Sequence, residues 1–93
     1  MARPLKELVI PKGQKVSTAQ ALGVLIRERR LELGLSQEAV SDEGLEQAYV
    51  SKLERGESEI SLNSFLLLAP KLQLTPVELL QRLLNTLEKT GSS

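Results

Sequence analysis

Ninety-three residues carry twelve Lys/Arg and twelve Asp/Glu, a net charge of zero, and are 41% hydrophobic and 26% charged, which suits one small globular domain with a single core. Cysteine and histidine are both missing, which excludes disulfides, thiolate metal sites and thiol chemistry, as well as the commonest metal ligand and general base. No apolar run approaches the roughly 18 residues of a membrane span, and the amino terminus lacks a signal-peptide pattern. A cytoplasmic location is therefore expected, with no membrane, metal or cofactor. Leucine dominates and only Tyr49 and Phe65 are aromatic, so the core should be aliphatic and helical. With no Gly-rich phosphate loop and no nucleophile–base pair, an enzyme is not expected.

Residues 1–16 read as a non-helical arm because Pro4, Pro11 and Gly13 interrupt it. Leu5 to Ile10 can form a short strand, and Arg3, Lys6, Lys12 and Lys15 make the arm basic with Glu7 its only acid. The domain proper spans 17–88. Ser17 or Thr18 can cap a first helix that runs to about Leu33 and stops at Gly34. Ala21, Leu22, Leu25, Ile26 and Leu33 make its buried stripe, while Arg27, Glu28, Arg29 and Glu32 face outward.

Ser36 caps a second helix that opens with Gln37-Glu38 and ends at a left-handed Gly44. Leu45 turns inward across the corner. A third helix runs from about Glu46 to Arg55, with Gly56 as its stop. Val50 and Leu53 point to the core, which leaves Gln47, Ala48, Ser51 and Lys52 on the opposite face. That face is small, polar and able to donate hydrogen bonds, as a helix entering the major groove of DNA must be. Tyr49 is expected to pack at the domain edge.

Gly34-Leu35-Ser36-Gln37-Glu38, Gly44-Leu45 and Tyr49-Val50-Ser51-Lys52-Leu53-Glu54-Arg55-Gly56 together resemble the helix-turn-helix (about 36–55) of the Cro/C1-type, XRE-family transcriptional regulators. The resemblance extends from about Leu22 to Leu80. It implies an all-α, compact five-helix lambda-repressor-like domain that binds double-stranded DNA. It also implies that Gln47, Ala48, Ser51 and Lys52 stand where the family reads bases, that Gln37 touches the DNA backbone, and that Arg30 and Glu54 form a structural ion pair. Arg55, Ser58 and Arg27 are further candidates for phosphates. The chain departs from the family at the corner: it has one residue fewer between Gln37 and Gly44, Glu43 replaces an apolar residue, and Ser41 stands in place of alanine. A distorted corner follows. The basic arm has three readings on this fold: a frayed terminus, an arm along the DNA backbone, or a strand that pairs with its twin in a dimer.

Ser61 caps a fourth helix with Leu62, Phe65, Leu66, Leu68 and Ala69 in the core, and Pro70 should kink or end it near Ala69. Thr75-Pro76-Val77-Glu78 begins a fifth helix as a capping box, running to about Glu88 before a flexible tail (89–93). Val77, Leu79, Leu80, Leu83, Leu84 and Leu87 exceed what so small a domain covers, which makes Leu80, Leu83, Leu84 and Leu87 the candidate dimer interface. Charge is uneven: residues 1–41 carry a net +3, 42–64 a net −4 and 65–93 a net +1. The proposed DNA face lies in the acidic third, so modest affinity or reliance on a dimer is expected. The function expected is a sequence-specific regulator, of repressor or controller type, binding a palindromic operator as a homodimer. The alternative is a protein-interaction module on the same fold, antitoxin-like or an adaptor, whose partner is another protein.

Overall fold

Helix boundaries in this chain follow from local chemistry. The computed structural model describes residues 16–91, with side chains through Glu88. The arm apart from Val16, including the strand expected over Leu5–Ile10, and Ser92 and Ser93 of the tail lie outside the described residues. Five helices follow in order: α1 (Thr18–Leu33), α2 (Gln37–Val40), α3 (Gln47–Glu54), α4 (Leu62–Lys71) and α5 (Pro76–Gly91). Among the described residues the only extended pairing is an isolated bridge between Asp42 and Leu45, so the architecture is all-α.

Ser17 starts α1: its hydroxyl accepts from the Gln20 N–H, and the Gln20 side chain accepts from the Ser17 N–H, a capping box that satisfies two otherwise free donors. Thr75 and Glu78 make the same reciprocal pair at the start of α5, around Pro76, whose missing N–H has no partner to lose there. Ser36 and Ser61 cap α2 and α4 through one hydroxyl each. Three helices also stop in one way. Gly34, Gly56 and Gln73 take left-handed φ of 73°, 71° and 60°, and the chain folds back to bond the last-turn carbonyls. Leu35 donates to Arg30, Glu57 to Lys52 and Leu74 to Ala69, each through backbone atoms, the Schellman arrangement.

Several expectations change once tertiary packing is included. α2 is a single turn that ends at Ser41 rather than at Gly44. The missing residue is absorbed in the corner, where Asp42 and Leu45 exchange two backbone hydrogen bonds of 2.9 and 2.8 Å. This closes a tight turn over Glu43 and Gly44, whose φ of 84° requires glycine. Lys71 at the end of α4 pairs with Asp42 at 3.0 Å and ties the corner to the body. α4 does not end near Ala69: it continues through Pro70 to Lys71. Only one helical residue follows the proline, and the Schellman ending uses carbonyls, not the N–H that Pro70 lacks. Arg29, expected to face outward, reaches across to donate to the Leu72 carbonyl at 2.9 Å.

The core joins Leu22, Leu25 and Ile26 of α1 to Val40, Leu45, Val50 and Leu53 of the helix-turn-helix, and to Leu68, Leu72, Leu79, Leu83 and Leu87. Leu62 and Leu66, expected inside, are exposed. With Leu68 buried, the inward positions one turn back are Ser64 and Phe65, and Leu62 and Leu66 fall on the other side. Ser64 accepts this place because Ser61 Oγ bonds both its N–H and its hydroxyl. On α5, Leu79, Leu83 and Leu87 repeat every four residues and are buried. Leu83 and Leu87 thus leave the candidate dimer interface for the domain's own core. Leu80 and Leu84 remain accessible, at 46% and 49% exposure, with Val77 beside them. α5 also outruns its expected end at Glu88, continuing to Gly91.

α1 and α3 approach so closely at Gly23 that a Cβ there would lie 2.5 Å from the Leu53 carbonyl oxygen and 2.7 Å from that of Glu54. Replacing glycine by alanine inside a helix normally gains about 1 kcal/mol, whereas overpacking against backbone costs about 1–3 kcal/mol. Gly23→Ala should therefore lower stability, read as a fall in the urea midpoint. A midpoint equal to or above the parent's would show that α1 and α3 can separate freely.

Candidate nucleic-acid interface

Glu54 sits in the last turn of α3, and Arg30 in the last turn of α1 points at it. Arg30 Nε and Nη2 reach the two carboxylate oxygens at 2.7 and 3.0 Å, a two-pronged pairing that fixes orientation as well as distance. The side chains are 10% and 3% exposed. A third arginine donor, Nη1, bonds the Leu35 carbonyl at 2.9 Å. Gln37, at the head of α2, donates its side-chain amide to the same carboxylate at 3.1 Å. Three helices therefore meet at one carboxylate, and the link between α1 and α2 is tied to it through Arg30. Burial by itself would raise the Glu54 pKa; hydrogen bonds from Arg30 and Gln37 and the charges of Arg30 and Arg27 outweigh it and hold the carboxyl below its ordinary range.

This anchorage sets which way α3 faces. Val50 and Leu53 are sealed in the core, so Gln47, Ala48 and Lys52 stand exposed and Ser51 half-exposed beside them. One helical surface holds an amide, a methyl, a hydroxyl and an ammonium. Tyr49, half-buried at the margin, accepts from the Ser61 N–H and donates to the Glu59 carbonyl at 3.3 and 3.4 Å, so it braces the loop after α3.

Among the phosphate candidates, Arg27 is exposed on α1 and near enough for its charge to act on Glu54. Ser58 lies half-buried in the loop. Gln37 faces inward to the ion pair through its amide nitrogen. Arg55 is the least free of the four: Nε and Nη2 bind the Glu57 carboxylate at 2.9 and 3.1 Å, and Nη1 donates to Ser51 Oγ. Glu57 belongs to the acidic third that the sequence reading set against phosphate binding, and the fold pairs it with Arg55. Its place beside Arg55 follows from the Schellman ending at Gly56, a signal present in Arg55-Gly56-Glu57. Nothing local marked Gly23 or the Gln37 bond to Glu54, which depend on contacts between distant segments.

A one-turn helix, a closed corner and a solvent-facing helix packed on α1 define a helix-turn-helix domain of the DNA-binding class. The chain belongs to the Cro/C1-type (XRE-family) helix-turn-helix proteins: the model of the family described as "Helix-turn-helix" matches residues 26–79. Among solved structures, the restriction-modification controller protein C.AhdI from Aeromonas hydrophila is similar at 40% identity and a TM-score of 0.60, over 66% of this chain and 94% of that one. The controller C.Esp1396I, solved as a tetramer in complex with its natural 35 base-pair operator, is similar at 24% identity and a TM-score of 0.67, over 75% and 93%. ClgR, the clp gene regulator of Corynebacterium glutamicum, shares the fold at 22% identity and a TM-score of 0.68, over 77% and 78%. Comparison with curated protein sequences returns no match.

Removing the carboxylate strands a buried guanidinium, so Glu54→Leu should cost about 3–5 kcal/mol, a large share of the stability of a domain this size. The pH dependence has a definite sign. Because the folded pKa of Glu54 is depressed, its contribution is complete above the ordinary carboxylate value of about 4.3 and is lost as pH falls through the folded value. Urea midpoints between about pH 5 and pH 2.5 should fall less steeply in Glu54→Gln than in the parent. Equal slopes would remove the pair from the account of acid stability.

Proposed function

We infer that this chain is a sequence-specific, DNA-binding transcriptional regulator of repressor or controller type, acting on a palindromic operator as a homodimer. The exposed row Gln47, Ala48, Ser51 and Lys52 on a helix pinned at its far end carries the reading. Gln47 can pair with adenine through its amide and Lys52 can donate to guanine, while Ala48 offers a methyl contact to thymine and Ser51 a hydroxyl. Arg27, Ser58, Arg55 and Gln37 are the groups proposed to position the domain on phosphates. The controller relatives named above support this class: one is recorded on its operator as a tetramer.

Zero net charge and the acidic stretch from Asp42 to Glu59 limit what one domain gains from phosphate neutralisation. Affinity is therefore expected to come from two domains on successive major grooves, about 34 Å apart. Leu80 and Leu84, with Val77, supply the apolar strip on α5 proposed to hold the pair together. Among the described residues no cluster of His, Cys, Asp or Glu could hold a metal ion, and no helix is long and apolar enough to cross a membrane. The family and its relatives are regulators rather than enzymes, and we assign this chain no catalytic activity.

Selection of bound duplexes from a random pool at about 150 mM salt should recover a two-fold-related motif with half-sites about one helical turn apart. Recovery of background alone from folded protein would favour the protein-interaction module instead. Lys52→Ala should relax one position of that motif, a loss of about 1–3 kcal/mol in discrimination; an unaltered motif would remove Lys52 from base reading. Placing a charge in the apolar strip, Leu84→Glu, should shift the chain towards monomer in light scattering. A dimer that survives it places the interface elsewhere.

A further inference from the structure

The end of the recognition helix differs from the other two Schellman endings in one residue. At the position just after the left-handed residue, α1 has Leu35 and α4 has Leu74, apolar side chains that fold against the domain, as this motif usually requires. α3 has Glu57. Because the Glu57 N–H is returned to the Lys52 carbonyl at 2.9 Å, its carboxylate is carried back alongside the final turn. There it meets Arg55 through two parallel hydrogen bonds, and it lies within electrostatic reach of Lys52. Arg55 gives its remaining prong to Ser51.

Arginine pairs with a carboxylate and with a phosphate through the same fork of donors. We propose that Glu57 is a built-in phosphate mimic: it occupies the Arg55 fork and tempers Lys52, so that the DNA face stays muted towards phosphate in general. This builds on the DNA-binding reading above. A duplex that engages Arg55 must displace Glu57, and the chain gives up an internal ion pair where other proteins give up only counterions. Sequence-independent binding is weakened most, because it draws on phosphate contacts alone, whereas base contacts by Gln47 and Lys52 add to operator binding. Glu57 is thus a specificity-determining residue that contacts no base.

The test is a cycle of Glu57→Gln, Arg55→Gln and the double variant. Each is measured for salt of elution from heparin and, by fluorescence anisotropy, for affinity to a duplex of unrelated sequence over a range of salt. Both side chains are about half exposed, and exposed pairs contribute little to stability, so thermal melts should stay unchanged and report on the fold. Glu57→Gln should elute later and bind the unrelated duplex about fivefold tighter at about 0.15 M salt. Its log–log salt slope should be steeper by about 0.9, the release expected for one more phosphate neutralised. The gain from Glu57→Gln should be much smaller when Arg55 is already Gln than in the parent, because without the fork Glu57 has only Lys52 to temper. The proposal is overturned if Glu57→Gln matches the parent in both assays. It is equally overturned if Arg55→Gln weakens both backgrounds alike, since Glu57 would then act as a general negative charge and leave Arg55 free. Heparin reads the fork without reference to any operator, so a failed duplex selection would count against the regulator reading and leave this one to stand or fall on its own cycle.

Discussion

The carboxylate of Glu54 is where the domain's geometry is decided. Arg30 grips it from α1, Gln37 touches it from α2, and it belongs to α3 itself. A buried ion pair is a poor source of net stability because both charges give up water. Its value here is directional. Two parallel hydrogen bonds and a third to the Leu35 carbonyl leave the guanidinium a single orientation, and α3 is held at its end in that frame. Gly23 completes the constraint by letting the backbone of α3 lie directly on α1. An apolar contact could hold the helices together equally well, but it would permit rotation of α3 and would blur which four side chains face outward.

Charge is arranged with the same economy. The acidic middle of the chain looks hostile to DNA as a sum, yet its members have separate tasks. Glu54 is internal and neutralised by Arg30. Asp42 is held below its ordinary range by the Glu43 N–H and by Lys71, and it fixes the corner to α4. Glu57 is folded against Arg55. Among the described residues, what remains open to solvent on the Gln47–Lys52 face is polar and mostly uncharged, with the Lys52 ammonium in reach of Glu57. A face of this kind gains little from non-specific attraction and relies on hydrogen-bond fit.

Much of this was legible in the residues themselves. Four of the five helix starts could be read from their caps, because Ser17, Ser36, Ser61 and Thr75 act within three residues of themselves, whereas α3 begins after Glu46 with no side-chain cap. Gly34 and Gly56 marked two of the ends for the same local reason. The failures were tertiary. Leu62 and Leu66 have the same intrinsic preference for burial as Leu68, and only the phase imposed by packing on α5 and α2 separates them. Leu83 and Leu87 looked identical to Leu80 and Leu84 along the helix until α1 covered one side. Pro70 was read as a kink or an end because its cost is local, but only one helical residue follows it, so little of α4 is left to disturb.

By itself, then, the sequence determined the class: helix boundaries, the Gln37-to-Gly56 spacing, the apolar faces of α1 and α3 and the outward Gln47, Ala48 and Lys52 all follow from interactions among neighbours along the chain. The resemblance already implied the pairing of Arg30 with Glu54; tertiary structure decided how the other charged groups are employed. Whether an arginine is buried, paired or free depends on which carboxylate arrives beside it, and Arg30 with Glu54, Asp42 with Lys71, and Arg55 with Glu57 are matched by the way helix ends fold back and by how closely α1 and α3 approach. Electrostatic interactions act through space, at distances the order of residues does not state, so the readiness of this face for DNA is a property of the fold.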